Sequence, residues 1–142
     1  MATNAHAKAY HDTRVLTAPP QELQLMLYDG ALRWTGQARL ALAAGDREAA
    51  CGALERARRI VLYLMEGLRP EVAPELCSLV AAAYQFVYGR LVDAGLHASM
   101  ETLDEAIGVL QGLRSTWADL LGEVHPQASS EPAAAGALQL TG

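Results

Sequence analysis

Four stretches in which apolar side chains recur every three or four residues constrain this chain more than any other feature. That spacing gathers the apolar side chains on one face of an α-helix. Proline, glycine and capping residues separate the stretches, which predicts helices over about 19–44, 46–68, 74–95 and 99–125. The composition agrees, because the chain is rich in Ala and Leu, two of the strongest helix formers.

Particular residues mark the expected ends of these helices. Pro20 suits the first turn of the first helix, where its missing N–H is not needed, and Gly45 stops that helix. Asp46 and Ser99 can accept hydrogen bonds from first-turn N–H groups, so we expect them to cap the second and fourth helices. Gly95 is expected to end the third helix.

The helical period also predicts which side chains face inward. The expected inward residues are Leu23, Met26, Leu27, Gly30, Trp34, Ala38 and Ala41; Ala50, Ala53, Leu54, Ala57, Val61, Leu64 and Leu68; Leu76, Leu79, Val80, Ala83, Val87, Leu91 and Ala94; and Leu103, Ile107, Leu110, Trp117, Leu120 and Val124. Four such helices with short links predict an all-α fold, an antiparallel up-down four-helix bundle over 19–125. An N-terminal arm at 1–18 precedes it, and a low-complexity tail at 126–142 is expected to be disordered.

The charge and hydropathy of the chain limit the expected binding partners and the expected cellular compartment. The formal net charge of −5 offers no basic stripe, so nucleic acid is not an expected partner. The N-terminus lacks the apolar core of a signal peptide, and no apolar run approaches the ~18 residues that a membrane-spanning helix needs. Cys51 and Cys77 do not form a secreted disulfide framework. We therefore expect a cytoplasmic protein that does not insert into membranes.

The sequence shows no arrangement typical of catalysis. A di-iron bundle needs Glu-x-x-His pairs, and no glutamate here is followed by a histidine at that spacing. The four histidines are scattered, which argues against a zinc site, and there is no phosphate-binding loop of the GxxxxGK type. Asp104 and Glu105 are neighbours on a helix, so they point in different directions. We therefore predict no enzyme activity, no metal and no cofactor.

The apolar arcs are wider than the core of one bundle requires. The additional side chains are Leu25, Tyr28 and Leu32 on the first helix, Leu62, Tyr63 and Met65 on the second, and Tyr84, Phe86 and Tyr88 on the third. Large apolar patches on monomers are usually covered by a partner. The wide arcs are equally compatible with deeper burial within the bundle or with a second copy of the chain.

Three motifs resemble one known family. The segment AYHDTRVLTAPPQELQLMLYDGALR (9–33) resembles the N-terminal signature of the FliS family of flagellar secretion chaperones. Its matching residues are Ala9, Tyr10, Val15, Thr17, Ala18, Pro20, Glu22, Leu23, Met26, Leu27, Tyr28 and Gly30. YQFVYGRLVDAG and LRSTWADLL resemble the third and last helices of that family. The chain departs from the pattern at Pro19, where the family has a capping serine.

The resemblance implies a function as well as a fold. It implies a chaperone that binds the C-terminal segment of newly made flagellin in the cytoplasm. There it would prevent premature polymerisation and keep the subunit competent for the export gate of the flagellar type III apparatus. A non-catalytic helical scaffold or self-associating adaptor is the alternative, and a weak homodimer of the empty protein stays open.

The expected flagellin contacts are apolar residues on the arm and at or beyond the margins of the inward faces. They are Tyr10, Val15, Tyr28, Leu62, Met65, Tyr84, Tyr88 and Leu91. The two arm residues, Tyr10 and Val15, could gate the partner's groove or simply pack against the bundle. For the six helical residues, core packing is the alternative role.

Overall fold

A computed structural model of the chain describes residues 20–124. Its four helices are α1 (Pro20–Ala43), α2 (Arg47–Glu66), α3 (Pro74–His97) and α4 (Met100–Val124). Each helix packs against the next, and α4 packs back against α1, so the four surround one core. The predicted all-α up-down bundle is confirmed. The expected arm at 1–18 and tail at 126–142 lie outside the described residues.

Capping side chains start α2 and α4 where the sequence predicts. The Asp46 carboxylate accepts a hydrogen bond from the Ala49 N–H at 3.0 Å. The Ser99 hydroxyl likewise accepts from the Thr102 N–H at 3.1 Å. Gly45 follows α1 with a φ of +76°, a conformation that a glycine adopts without steric cost. These three predictions are confirmed.

The end of α3 differs from the prediction. The helix runs through Gly95 to His97, and Ala98 adopts the left-handed conformation with φ 51° and ψ 42°. Gly95 instead faces α2, where an added Cβ would lie 3.5 Å from Leu54 Cδ1. A glycine inside a helix costs only about 1 kcal/mol, so its presence alone does not end one.

The core contains side chains from all four helices. On α1 the first three buried residues each lie one position beyond a predicted inward residue, whereas Ala38 is buried as predicted. The buried residues of α1 are Tyr28, Ala31, Thr35 and Ala38. The predicted inward residues Leu27 and Trp34 are partly buried beside them. Thr35 is accommodated because its hydroxyl donates to the Ala31 carbonyl at 2.7 Å. On α2 the predicted inward face is confirmed from Ala50 to Leu64.

Small residues let α1 and α2 approach closely. A Cβ added at Gly30 would lie only 3.1 Å from Ile60 Cδ1 on α2. Ala38 and Ala57 are fully buried. These small residues thus allow the two helices to pack closely.

Charged pairs link the outer faces of the helices. Arg39 on α1 donates two hydrogen bonds to the Asp104 carboxylate on α4, at 2.6 and 3.2 Å. These bonds hold the pKa of Asp104 below its ordinary value and raise the pKa of Arg39. Glu105 lies 3.8 Å from Arg90 on α3 instead. The two adjacent carboxylates therefore interact with different helices, Asp104 with α1 and Glu105 with α3, as their helical spacing predicts.

Candidate partner-binding groove

An apolar groove opens between the first half of α3 and the last half of α4. Its volume is about 450 Å³. Its lining residues are Gln24, Tyr28, Leu68, Leu76, Cys77, Leu79, Val80, Ala83, Tyr84, Val109, Gly112, Leu113, Thr116, Trp117 and Leu120. None of these side chains carries a carboxylate, an amine, a guanidinium or an imidazole. We call this feature the α3–α4 groove.

Leucines form the rim of the groove and are largely exposed to solvent. Leu76 and Leu79 on α3 are 57 % and 71 % exposed, and Leu120 on α4 is 43 % exposed. The prediction that these three residues face inward was wrong about their burial. Their side chains line the space between α3 and α4, and no other part of the described bundle fills this space. Apolar surface therefore remains available for a partner.

The floor of the groove is a hydrogen-bonded tyrosine pair. The Tyr28 and Tyr84 hydroxyls lie 2.7 Å apart, and the Gln24 amide nitrogen donates to both oxygens at 3.0 Å. The two tyrosines are 3 % and 1 % exposed. Burial, aided by the hydrogen bond from Tyr28, raises the pKa of Tyr84 well above its ordinary value. The buried Tyr84 hydroxyl therefore keeps its proton at neutral pH.

One wall of the groove is fixed by a tryptophan. The Trp117 indole N–H donates to the Gln21 backbone carbonyl at 2.9 Å, which ties the end of α4 to the first turn of α1. One turn away, Gly112 opens the wall, because a Cβ added there would meet nothing within 4 Å. The groove is thus wide at Gly112 and bounded at Trp117.

Two of the predicted flagellin contacts come together in this groove. Tyr28 and Tyr84 form its floor, although the sequence placed them beside the inward faces and not within the core. Leu91 is fully buried deeper in the bundle, as its place among the predicted inward residues requires, and it does not line the groove. Whether these three residues contact a partner stays a prediction.

The other predicted contacts lie elsewhere. Met65 and Tyr88 are half-buried and pack against the core, and Leu62 is 42 % exposed on α2. None of the three lines the groove. Tyr10 and Val15 lie outside the described residues.

Most residues in the walls of the groove are not among the predicted contacts. Leu79 and Leu120 were predicted to face the core instead. A local signal existed: each wall places a small residue, Ala83 on α3 or Gly112 on α4, among larger apolar ones. That pattern could have indicated a channel between two helices.

A second depression lies between the last half of α1 and the first half of α2. Its volume is about 720 Å³, and we call it the α1–α2 cleft. Its aromatic residue, Trp34, is covered by two guanidinium groups, those of Arg33 and Arg56, at 5.3 and 4.8 Å from the ring centroid. Asp46 and Glu48 lie at its other end. This cleft is therefore polar as well as apolar.

Two kinds of site are absent from residues 20–124. No three His, Cys, Asp or Glu side chains in this range are grouped so that they could hold a metal ion. None of the four described helices combines the length and the hydropathy needed to span a bilayer.

Comparison with known proteins identifies the family. The sequence model of the family described as flagellar protein FliS matches residues 2–124. The chain belongs to the FliS family. This finding confirms the resemblance inferred from the three sequence motifs.

Relatives and a solved structure agree with the assignment. The flagellar secretion chaperone FliS of Salmonella typhimurium is 31 % identical over 126 residues, covering 88 % of this chain and 90 % of the relative. That of Bacillus subtilis is 33 % identical over 117 residues, covering 82 % and 86 %. A crystal structure of a bacterial flagellar chaperone superposes with a TM-score of 0.69 at 16 % identity, covering 85 % of this chain and 98 % of that one. This last similarity shows a shared fold.

Proposed function

We propose that this protein is a cytoplasmic flagellar export chaperone that binds the disordered C-terminal segment of flagellin in the α3–α4 groove. Binding would prevent premature polymerisation and keep flagellin competent for the export gate of the flagellar type III apparatus. The protein would act by binding alone, without catalysis or a cofactor. The observation that supports this proposal is an open, uncharged groove with exposed leucine rims in a chain of the FliS family.

The lining of the groove suits an amphipathic helix. Such a helix buries its apolar face in a hydrophobic groove, using side chains spaced three and four residues apart. Each Å² of apolar surface removed from water contributes roughly 25 cal/mol. Ordering a disordered segment offsets several kcal/mol of that gain. The balance gives a complex that is specific and still able to dissociate.

We expect a longer flagellin segment to continue beyond the α3–α4 groove along the remaining predicted contacts. Leu62 is exposed outside the groove, and Met65 and Tyr88 present partly exposed surface. Leu91 is fully buried, so it would act by supporting the helices and not by touching flagellin. Tyr10 and Val15 would contact the segment from the arm.

Two cysteines provide a direct test of the binding site. Cys77 lines the α3–α4 groove, whereas Cys51 is exposed on α2 and lies outside it. The protein is treated with a thiol-alkylating reagent, with and without a peptide of the C-terminal segment of flagellin from the same genome. We expect the peptide to slow alkylation of Cys77 at least tenfold and to leave Cys51 unchanged. Mass spectrometry of the digested protein measures both rates.

Calorimetry supplies the second measurement and the outcomes that count against the proposal. Helix docking should show a clearly negative heat-capacity change, because apolar surface is buried. A folded protein that gives no heat of binding at micromolar peptide would rule out the flagellin assignment. A stable dimer in light scattering that excludes the peptide would support the self-associating adaptor instead.

A further inference from the structure

The floor of the α3–α4 groove contains one more hydrogen-bond donor than its own contacts use. Three contacts join the Tyr28 hydroxyl, the Tyr84 hydroxyl and the Gln24 amide nitrogen. The amide nitrogen supplies two protons and each hydroxyl supplies one, which makes four protons for three contacts. One hydroxyl donates to the other, and the second hydroxyl keeps a proton that none of the three contacts uses.

The proton count also fixes how the Gln24 amide is turned. If the amide oxygen faced the tyrosines, only the two hydroxyl protons would be available for three contacts. One close oxygen–oxygen pair would then have no proton between its atoms. The count thus favours the orientation that the structure has, with the amide nitrogen facing the pair, and the surplus proton then belongs to a hydroxyl.

The surplus donor has no acceptor within the described part of the bundle. Among residues 20–124, neither tyrosine hydroxyl makes a hydrogen bond beyond this cluster. Both side chains are at least nine-tenths buried and line the groove. A bound helix that covers this donor without offering an acceptor removes its hydrogen bond to water, so a helix that supplies an acceptor is favoured over one that does not.

We propose that the Tyr28–Tyr84 pair is a specificity element that donates one hydrogen bond to an acceptor on the apolar face of the bound helix. This inference rests on the proposed function, since it concerns the segment that occupies the α3–α4 groove. The acceptor is an Asn, Gln or Ser side chain, which is small enough to reach the floor between apolar neighbours. A purely apolar helix fills the same space and leaves the donor unpaired, so the groove discriminates against it.

The test removes both hydroxyls and compares the result with a matched change outside the groove. In Tyr28→Phe/Tyr84→Phe the ring volumes remain and the donor is lost. Tyr63→Phe makes the same chemical change on α2, where the side chain is 52 % exposed. For the flagellin C-terminal peptide, we expect the double variant to raise Kd by about three- to tenfold and Tyr63→Phe to change it by less than twofold.

An alanine scan of the polar residues of the peptide identifies the acceptor. One position should weaken binding to the unsubstituted protein by about three- to tenfold and binding to the double variant by less than twofold, because the two changes remove the same hydrogen bond. Circular dichroism verifies that each variant is folded. A folded double variant that binds every peptide as tightly as the unsubstituted protein would overturn the inference.

A second variant covers the case in which the double variant does not fold. In Gln24→Glu the carboxylate supplies no proton and can accept the one that the tyrosine pair does not use, so no donor is left for the partner. The same peptide position should then lose its effect on Kd, whereas a retained effect would overturn the inference. If the unsubstituted protein binds no peptide at all, the proposed function itself fails, which is a different result.

Discussion

The α3–α4 groove and the α1–α2 cleft lie at opposite ends of the bundle, and they differ in how far their apolar surface is already covered. In the cleft, Arg33 and Arg56 cover the Trp34 ring. In the groove, Leu76 and Leu79 are exposed and no charged side chain lies among the lining residues. A helix entering the cleft would have to displace cations from an aromatic face, an interaction of about 0.5–2 kcal/mol. The larger depression is therefore the less suitable one for an apolar helix, because its aromatic ring is already covered.

Filling each depression with a large side chain tests this difference most strongly. Gly112 in the groove has no neighbour within 4 Å of an added Cβ, and Gly52 in the cleft has only the end of the Arg56 side chain at 3.8 Å. We expect Gly112→Phe to weaken flagellin peptide binding by roughly 30-fold or more, as for the loss of an interface hot spot. Gly52→Phe should change Kd by less than twofold. Calorimetric Kd values that moved equally would remove the distinction between the two regions.

Shortening a rim leucine should have a smaller effect of the same sign. Leu79 borders the groove and is 71 % exposed, while Leu40 borders the cleft and is 66 % exposed. Leu79→Ala should weaken binding about fivefold, because the truncated side chain buries less apolar surface against the partner. Leu40→Ala should be neutral. Both variants should melt within a few degrees of the parent protein, since neither leucine belongs to the core. A larger loss of affinity in Leu40→Ala would assign the partner to the cleft.

The link between α3 and α4 offers a change that should affect stability alone. Ala98 has a φ of 51°, a conformation that costs a residue with a Cβ about 1–2 kcal/mol. Ala98→Gly should stabilise the protein by about 0.5–1 kcal/mol after the greater entropy of the unfolded glycine is subtracted. This link lies at the end of the bundle away from the groove, so the Kd for the peptide should not change. Thermal unfolding followed by dichroism measures the gain, and a lower melting temperature would contradict this reading of Ala98.

The smallest expected effect concerns the ion pair between α1 and α4. Arg39 lowers the pKa of Asp104, so the pair stabilises the fold above the ordinary carboxyl range, and this contribution is lost as pH falls through the lowered pKa. The difference in melting temperature between the parent protein and Asp104→Asn should therefore narrow from pH 7 to about pH 3. Asp119→Asn is the control, because Asp119 forms no ion pair within the described residues. A difference that does not vary with pH would mean that Asp104 acts through something other than its charge.

Local signals in the sequence were sufficient for most of the fold. Asp46 and Ser99 start their helices through hydrogen bonds to residues three positions ahead, an interaction that any reader of the sequence can anticipate. The prediction that Gly95 ends α3 was wrong because this glycine packs against Leu54, 41 positions earlier in the chain. The periodicity within one helix gives no information about a contact with another helix. The fold was therefore predictable where its causes were local.

The candidate site was less predictable for the same reason. A tyrosine near the margin of the inward face of a helix is expected to be exposed when no residue nearby in the sequence can form a hydrogen bond with its hydroxyl. Tyr28 can be buried because Tyr84, 56 positions away, supplies that partner. Leu79 shows the reverse case, since its position on the helix is inward but the facing turns of α4 leave a space beside it. Both outcomes depend on how two distant helices meet.

The uncharged lining of the α3–α4 groove has a consequence for how the proposed complex would come apart. The described lining of the groove includes no carboxylate, imidazole or amine, and its floor keeps its phenolic proton, so mild acidification would leave the charge of the groove itself unchanged. A change of charge in the groove would therefore not release the helix proposed to bind there. Unloading would require a rival surface that competes for the same helix, so the timing of delivery would be set by an encounter.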